Sequence, residues 1–179
     1  QRTIDEAGVP NAVIGGLALQ RWGRPRVTAD VDVVAFTGFD DKEGALIDAL
    51  FARFAGRRPD AREIAERHRV CILRSAEGVG IDVSLGGLDF ERELISRASP
   101  FDFGGGSIVR TCSAEDLLVL KAFADRPRDW SDIEGIILRL EGKLQWSSIV
   151  RWLAPLAEAK EAPEILDRLA ELRRRLEGG

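Results

Sequence analysis

"VIGGLALQRWGRPRVTADVDVV", residues 13–34, decides how the chain is read. An apolar run ends at Gly15-Gly16, helical spacing continues from Leu17 to Trp22, and Gly23-Arg24-Pro25 breaks it before a valine-rich run from Val27 to Phe36. The pattern is strand, turn, helix, strand. Asp30 and Asp32 stand inside the second strand. Residues two apart in a strand point to one face, so the two carboxylates project together while Val31 and Val33 turn to the core. Parallel carboxylates repel and oppose each other's ionisation unless a cation lies between them. Carboxylate oxygens select a hard ion for that place, Mg²⁺ or Mn²⁺.

Downstream, "VCILRSAEGVGIDVSLGG" (residues 70–87) reads as two β-rich runs around a Glu77-Gly78 turn, a hairpin. Its second arm carries Asp82 between Ile81 and Val83. Three aspartates on adjacent strands, converging on one face, would suit two-metal phosphoryl transfer. The Gly15-Gly16 turn would let a phosphate approach backbone N–H groups at a helix N-terminus. The plainer alternatives are a glycine pair that only turns the chain and aspartates that cap or pair. An uncompensated Asp-x-Asp among valines is costly, which favours the metal.

The rest of the chain supplies the frame. Residues 41–54 have helical spacing, with Asp40 or Asp41 as cap. Residues 57–69 are polar, part loop and part helix, and Phe90 to Ala98 is an amphipathic helix. Gly104-Gly105-Gly106 is a loop before a short strand from Ser107 to Thr111. "CSAEDLLVLKAFADR" (residues 112–126) is the strongest helix, capped by Ser113, with Glu115 and Asp116 at its positive end and Pro127 as its stop. Ser131 is expected to cap a helix from Asp132 to Leu140, and two more helices split near Pro163. The expected fold is α+β: a mixed sheet flanked by helices in residues 1–112, followed by a helical region in 113–179.

Composition narrows the chemistry. With 179 residues, 45% hydrophobic and 31% charged, the chain is long enough to bury a core without staples. It contains no apolar run near the ~20 residues of a membrane span, and no basic-then-apolar leader, so a cytoplasmic location away from membranes is expected. It has no methionine and begins at Gln1, so a natural start is expected upstream. Cys71 and Cys112 lack metal-ligand spacing and read as free thiols. His68 is the single histidine, which removes His-rich zinc sites and, unless His68 serves it, a Ser-His-Asp relay. The net charge of −4 argues against coating nucleic acid. Arginine clusters at 21–26, 57–62, 67–69, 126–128 and 173–175 suit a bound phosphate or, for the last, a solvated helix face.

The glycine pair, the "DVD" strand and the later Asp82 together resemble the polymerase-β-type nucleotidyltransferase superfamily. "RVTADVD" (Arg26, Thr28, Asp30, Asp32) and "LLVLKAFADRPRDWSDIEGI" sharpen this to its AbiEii-like branch, the nucleotidyltransferase toxins of type IV toxin–antitoxin systems, MenT-type enzymes included. In that branch a helical lysine precedes an Arg/Lys-Asp-x-x-Asp segment, here Lys121 and then Arg128, Asp129, Asp132 and Ile133. The resemblance implies an NTP substrate, Mg²⁺ held by Asp30, Asp32 and Asp82, and Asp82 helping to activate an acceptor hydroxyl. It further implies nucleotide contacts from Gly15, Gly16, Arg26, Thr28 and Lys121, with Asp129 orienting Lys121 or an arginine. Arg24 and Arg26 would contact phosphate or acceptor. Without the resemblance, Lys121 is an exposed lysine on an amphipathic helix and Asp129 pairs with Arg126 or Arg128. The implied acceptor is RNA or tRNA, with a cognate antitoxin protein as partner. A small-molecule, antibiotic-type transferase and a non-catalytic nucleotide- or partner-binding protein of the same fold are the alternatives.

Overall fold

The structure, a computed structural model, describes residues 1–39 and 42–177. The chain forms two compact units, one of Gln1–Leu17 with Val27–Cys112, the other of Ala18–Arg26 with Ser113–Gly179.

Among the described residues, the first unit is built on a seven-stranded mixed sheet. In chain order the strands are β1 (Asn11–Val13), β2 (Asp30–Phe36), β3 (Ala55–Gly56), β4 (Val70–Arg74), β5 (Gly80–Gly86), β6 (Ser99–Asp102) and β7 (Ile108–Thr111). Across the sheet they run β3-β4-β5-β2-β1-β7-β6. Neighbours are antiparallel except β2 with β5 and β1 with β7, which are parallel. The alternation read in the sequence holds across β2, β4 and β5. Val33, Ala35, Cys71, Leu73, Val83 and Leu85 are buried in one core cluster, with Val31 and Ile81 packed against it. Helices α1 (Arg2–Glu6), α3 (Lys42–Arg53) and α4 (Ala61–His68) bring Ile4, Leu46, Ile47, Leu50 and Ala65 to that cluster. Each leucine so buried contributes about 1.5–3 kcal/mol. Helix α5 (Asp89–Arg97) contacts β1 and β2. Both cysteines are buried and unbridged, and burial pushes the Cys71 thiol up to about 12.

The second unit is helical. Helix α2 (Gly15–Trp22) begins in the first unit and ends in this one, with α6 (Ala114–Ala124), α7 (Pro127–Arg139), α8 (Trp146–Ala159) and α9 (Glu164–Glu177). Residues 18–26 join it for local reasons. The Arg139 guanidinium donates to the carbonyl of Gly23 at 2.6 Å. Gly135 leaves room for the Arg24 stem, which a Cβ would meet at 3.2 Å. Ser113 caps α6 as expected, accepting from the Asp116 N–H at 3.1 Å, a contact worth about 1 kcal/mol.

Several local expectations need correction. Helix α7 starts at Pro127, not at Ser131: proline occupies the first helical turn, where its missing N–H costs nothing. Pro127 therefore opens the next helix. Helix α6 ends earlier, at Asp125 in the left-handed conformation (φ 56°), whose carboxylate accepts from the Trp130 indole at 2.6 Å. The strand expected from Val27 begins at Asp30, and Val27 is exposed. Helix α1 and strands β3 and β6 carry no periodic signal long enough to be read. The cap expected at Asp40 or Asp41 lies outside the described residues.

Candidate active site

The carboxylate face follows from register. In the parallel pairing of β2 and β5, Asp32 lies opposite Asp82 and Asp30 opposite Gly80. Paired residues of neighbouring strands share a face, and Asp30 and Asp32 share one by period, so all three carboxylates stand on the face away from the Val33–Val83 core. They are half-buried.

Glycines clear the space they fill. A Cβ on Gly15 would come within 2.0 Å of Asp32 Oδ2, and one on Gly80 within 2.0 Å of Asp30 Oδ1. Gly15 also has φ +59°, a conformation that side-chain-bearing residues rarely adopt. A Cβ on Gly16 would sit 2.4 Å from Thr28 Oγ1, whose hydroxyl donates to the Asp30 carbonyl at 3.1 Å. The Ile14 N–H donates to the Asp32 carbonyl at 2.9 Å, fixing the start of α2 against β2. The two glycines and Thr28, expected at the nucleotide, thus lie directly beside the aspartates.

A further charged group reaches this face. Arg57 extends the β3–β4 pairing, its N–H donating to the Ile72 carbonyl at 3.0 Å, and Ile72 lies opposite Asp82. Its guanidinium ion-pairs with Asp82 and lies 3.6 Å from Asp30 Oδ1. The sequence shows the Arg57-Arg58 pair but no signal for β3, the two-residue strand that aims it.

Among the described residues, no three His, Cys, Asp or Glu side chains are gathered closely enough to hold a metal as they stand. The donor set fits Mg²⁺ or Mn²⁺ in its chemistry: carboxylate oxygens on one accessible face, with the Arg57 guanidinium as the cation between two of them. His68 is exposed at the end of α4 and takes no part.

The second unit gathers the remaining candidates. The Lys121 ammonium donates to Asp132 Oδ2 at 2.6 Å and to Asp129 Oδ1 at 3.3 Å. Arg26 closes a two-bond fork on Asp132, both contacts at 3.1 Å. Arg126 Nε donates to Asp129 Oδ2 at 2.5 Å. Lys121 is buried, which corrects the plain expectation of an exposed lysine: Leu117, Leu118, Val119 and Ala122 around it are buried too. A lysine in a helix apolar on nearly every side is the signal that could have shown this. Burial opposes ionisation of Asp129, but the Arg126 hydrogen bond and the Lys121 charge outweigh it and hold the carboxyl below its usual range. At Asp132 the same opposition is overcome by Arg26 and Lys121. Arg126, rather than Arg128, is the arginine that pairs with Asp129.

A family model, nucleotidyl transferase of unknown function (DUF2204), matches residues 1–171. The chain belongs to this family. As a member of the nucleotidyl transferases it is an enzyme whose substrates are an NTP and an acceptor. No curated protein matches this nucleotidyl transferase in sequence. Among solved structures, the antibiotic-resistance factor ANT(2'')-Ia in solution aligns with a TM-score of 0.51 and 18% identity, over 89% of this chain and 88% of that one. ANT(2'')-Ia in complex with adenylyl-2''-tobramycin aligns at 0.52 and 16%, over 89% and 93%. An antigenic nucleotidyltransferase-like protein from Paracoccidioides brasiliensis aligns at 0.48 and 19%, over 94% and 88%. The two ANT(2'')-Ia likenesses show a shared fold: the sheet flanked by helices and followed by helices is nucleotidyltransferase-like. No helix among the described residues is long and apolar enough to cross a membrane.

Proposed function

We propose that the chain is a Mg²⁺- or Mn²⁺-dependent enzyme transferring a nucleoside monophosphate from an NTP to an acceptor hydroxyl. One observation carries this: Asp82 lies in register beside Asp32, on the face Asp30 shares, over glycines that leave room for the carboxylates. Asp30, Asp32 and Asp82 would hold the metal, which when bound neutralises triphosphate charge and polarises the α-phosphate. The acceptor oxygen bonds to the α-phosphorus, the bond to the bridging oxygen breaks, and pyrophosphate leaves; Asp82 takes the acceptor's proton. Backbone N–H groups at Gly15 and Gly16, with the Thr28 hydroxyl, bind phosphate oxygens at the start of α2. Residues 1–112 form the catalytic core. Within 113–179, Lys121 supplies a cation for the phosphates and Asp129 holds its ammonium, with Arg26 as a further phosphate or acceptor contact.

For the acceptor we propose an RNA end, tRNA included, modified in the cytoplasm by a toxin of the AbiEii-like branch that a cognate antitoxin restrains. The motif run from Arg26 through Ile133 supports that branch. The arginine clusters support RNA less than their number suggests, because many are paired with acids: Arg58 with Asp60, Arg62 with Asp48, Arg67 with Glu63, Arg69 with Glu43 and Arg173 with Glu177. That pairing favours a second reading, transfer to a small-molecule hydroxyl, for which the fold shared with the antibiotic-resistance factor is a precedent. Incubation with each α-labelled NTP, Mg²⁺ and either total RNA or tobramycin separates them. Label in RNA supports the first acceptor and label in tobramycin the second; free label with every NTP in both mixtures would count against transfer.

A further inference from the structure

We propose that Arg57 is an internal counter-ion of the metal site, docked on Asp30 and Asp82 when no divalent ion is bound and displaced when one enters. This rests on the reading of Asp30, Asp32 and Asp82 as metal ligands. The two cations need the same oxygens. Arg57 ion-pairs with Asp82 and approaches Asp30 at 3.6 Å. A divalent ion bonded to those oxygens at about 2.1 Å would meet the guanidinium as a like charge at contact range.

The local build shows that the arginine is aimed at the carboxylates. Its backbone is tied to the sheet by the Ile72 carbonyl at 3.0 Å, one strand beyond Asp82. Strands lie about 4.8 Å apart, so the stem must cross Ile72 to reach the carboxylates, a span that the arginine side chain covers. A Cβ on Gly80 would stand 3.0 Å from Arg57 Nη1 as well as 2.0 Å from Asp30 Oδ1, so the same glycine admits both partners of the pair. Arg58, the next residue, pairs instead with Asp60, so of these two arginines it is Arg57 that serves Asp30 and Asp82. The guanidinium therefore offsets part of the carboxylate charge before any ligand arrives, at the expense of metal affinity. If the guanidinium is docked nine-tenths of the time, apparent affinity falls about tenfold, since only the undocked fraction is competent.

The test uses Mn²⁺ titrated into the full chain without nucleotide, read by electron paramagnetic resonance of the free ion, on wild type, Arg57→Gln and Arg57→Lys. Arg57→Gln should bind Mn²⁺ about tenfold more tightly, and Arg57→Lys, which keeps the charge but loses the fork, should fall between. Thermal unfolding provides a second readout: without metal Arg57→Gln should melt below wild type, and Mn²⁺ should raise its midpoint by more than that of wild type. Equal or weaker Mn²⁺ binding by Arg57→Gln overturns the proposal. Asp32→Asn separates that failure from failure of the site itself: if wild type, Arg57→Gln and Asp32→Asn all bind Mn²⁺ alike, the carboxylates are not the metal site and the inference falls with it.

Discussion

Two charged clusters, one in each unit, use the same residue types to opposite ends. On the sheet, Asp30 and Asp82 keep 48% and 32% of their side-chain surface open and share one guanidinium. In the helical unit, Asp129 and Asp132 keep 1% and 8%, and Lys121, Arg26 and Arg126 close on them. An accessible carboxylate with a single displaceable partner can exchange it for a ligand. A buried carboxylate with two cationic partners cannot do so without breaking a network on which the fold depends. The first cluster is free to exchange its partner for a ligand, and the second is a rigid mount that holds Lys121 and Arg26 in fixed positions.

That contrast breaks most readily at Lys121. Lys121→Ala leaves two buried carboxylates short of a partner and should cost about 3–5 kcal/mol of stability, measured by urea unfolding. A cost below about 1 kcal/mol would show that the cluster is looser than its burial suggests. Acid should act on the same cluster. Asp129 and Asp132 titrate below the usual carboxylate range, so their contribution is complete above about pH 4 and is lost as pH falls through their depressed values. Asp129→Asn should flatten the dependence of stability on pH below that point; an unchanged slope would place the acid sensitivity elsewhere.

The smaller expected effect lies at the sheet. Gly15→Ala places a Cβ into Asp32 at a positive φ and should cost about 1–2 kcal/mol of stability. Transfer should fall by more than that cost explains, because the carboxylate itself must move. A variant with unchanged transfer would mean that the Asp32 position is not used.

Legibility in the sequence followed the range of the signal. Period-2 alternation put Asp30, Asp32 and Asp82 on strands, and β2–β5 pairing then set Asp82 beside Asp32. Ser113 was readable because a cap acts three residues away. Arg57 was not, since β3 spans two residues and pairs with β4 far along the chain, Ala55 with Arg74 and Gly56 with Leu73. Lys121 escaped for a related reason: its partners lie eight and eleven residues along, across the break between α6 and α7. Pro127 misled because one residue type both stops a helix and opens one.

The Asp30–Asp32–Asp82 face is proposed to perform the transfer. Pyrophosphate release from NTP, measured for wild type and Asp32→Asn at matched folded fraction with Mg²⁺ present, tests it most directly. Asp32→Asn should lose about a thousandfold, ~4 kcal/mol of barrier, with its melting midpoint kept within a few degrees. Release by Asp32→Asn at a rate near that of wild type would contradict it.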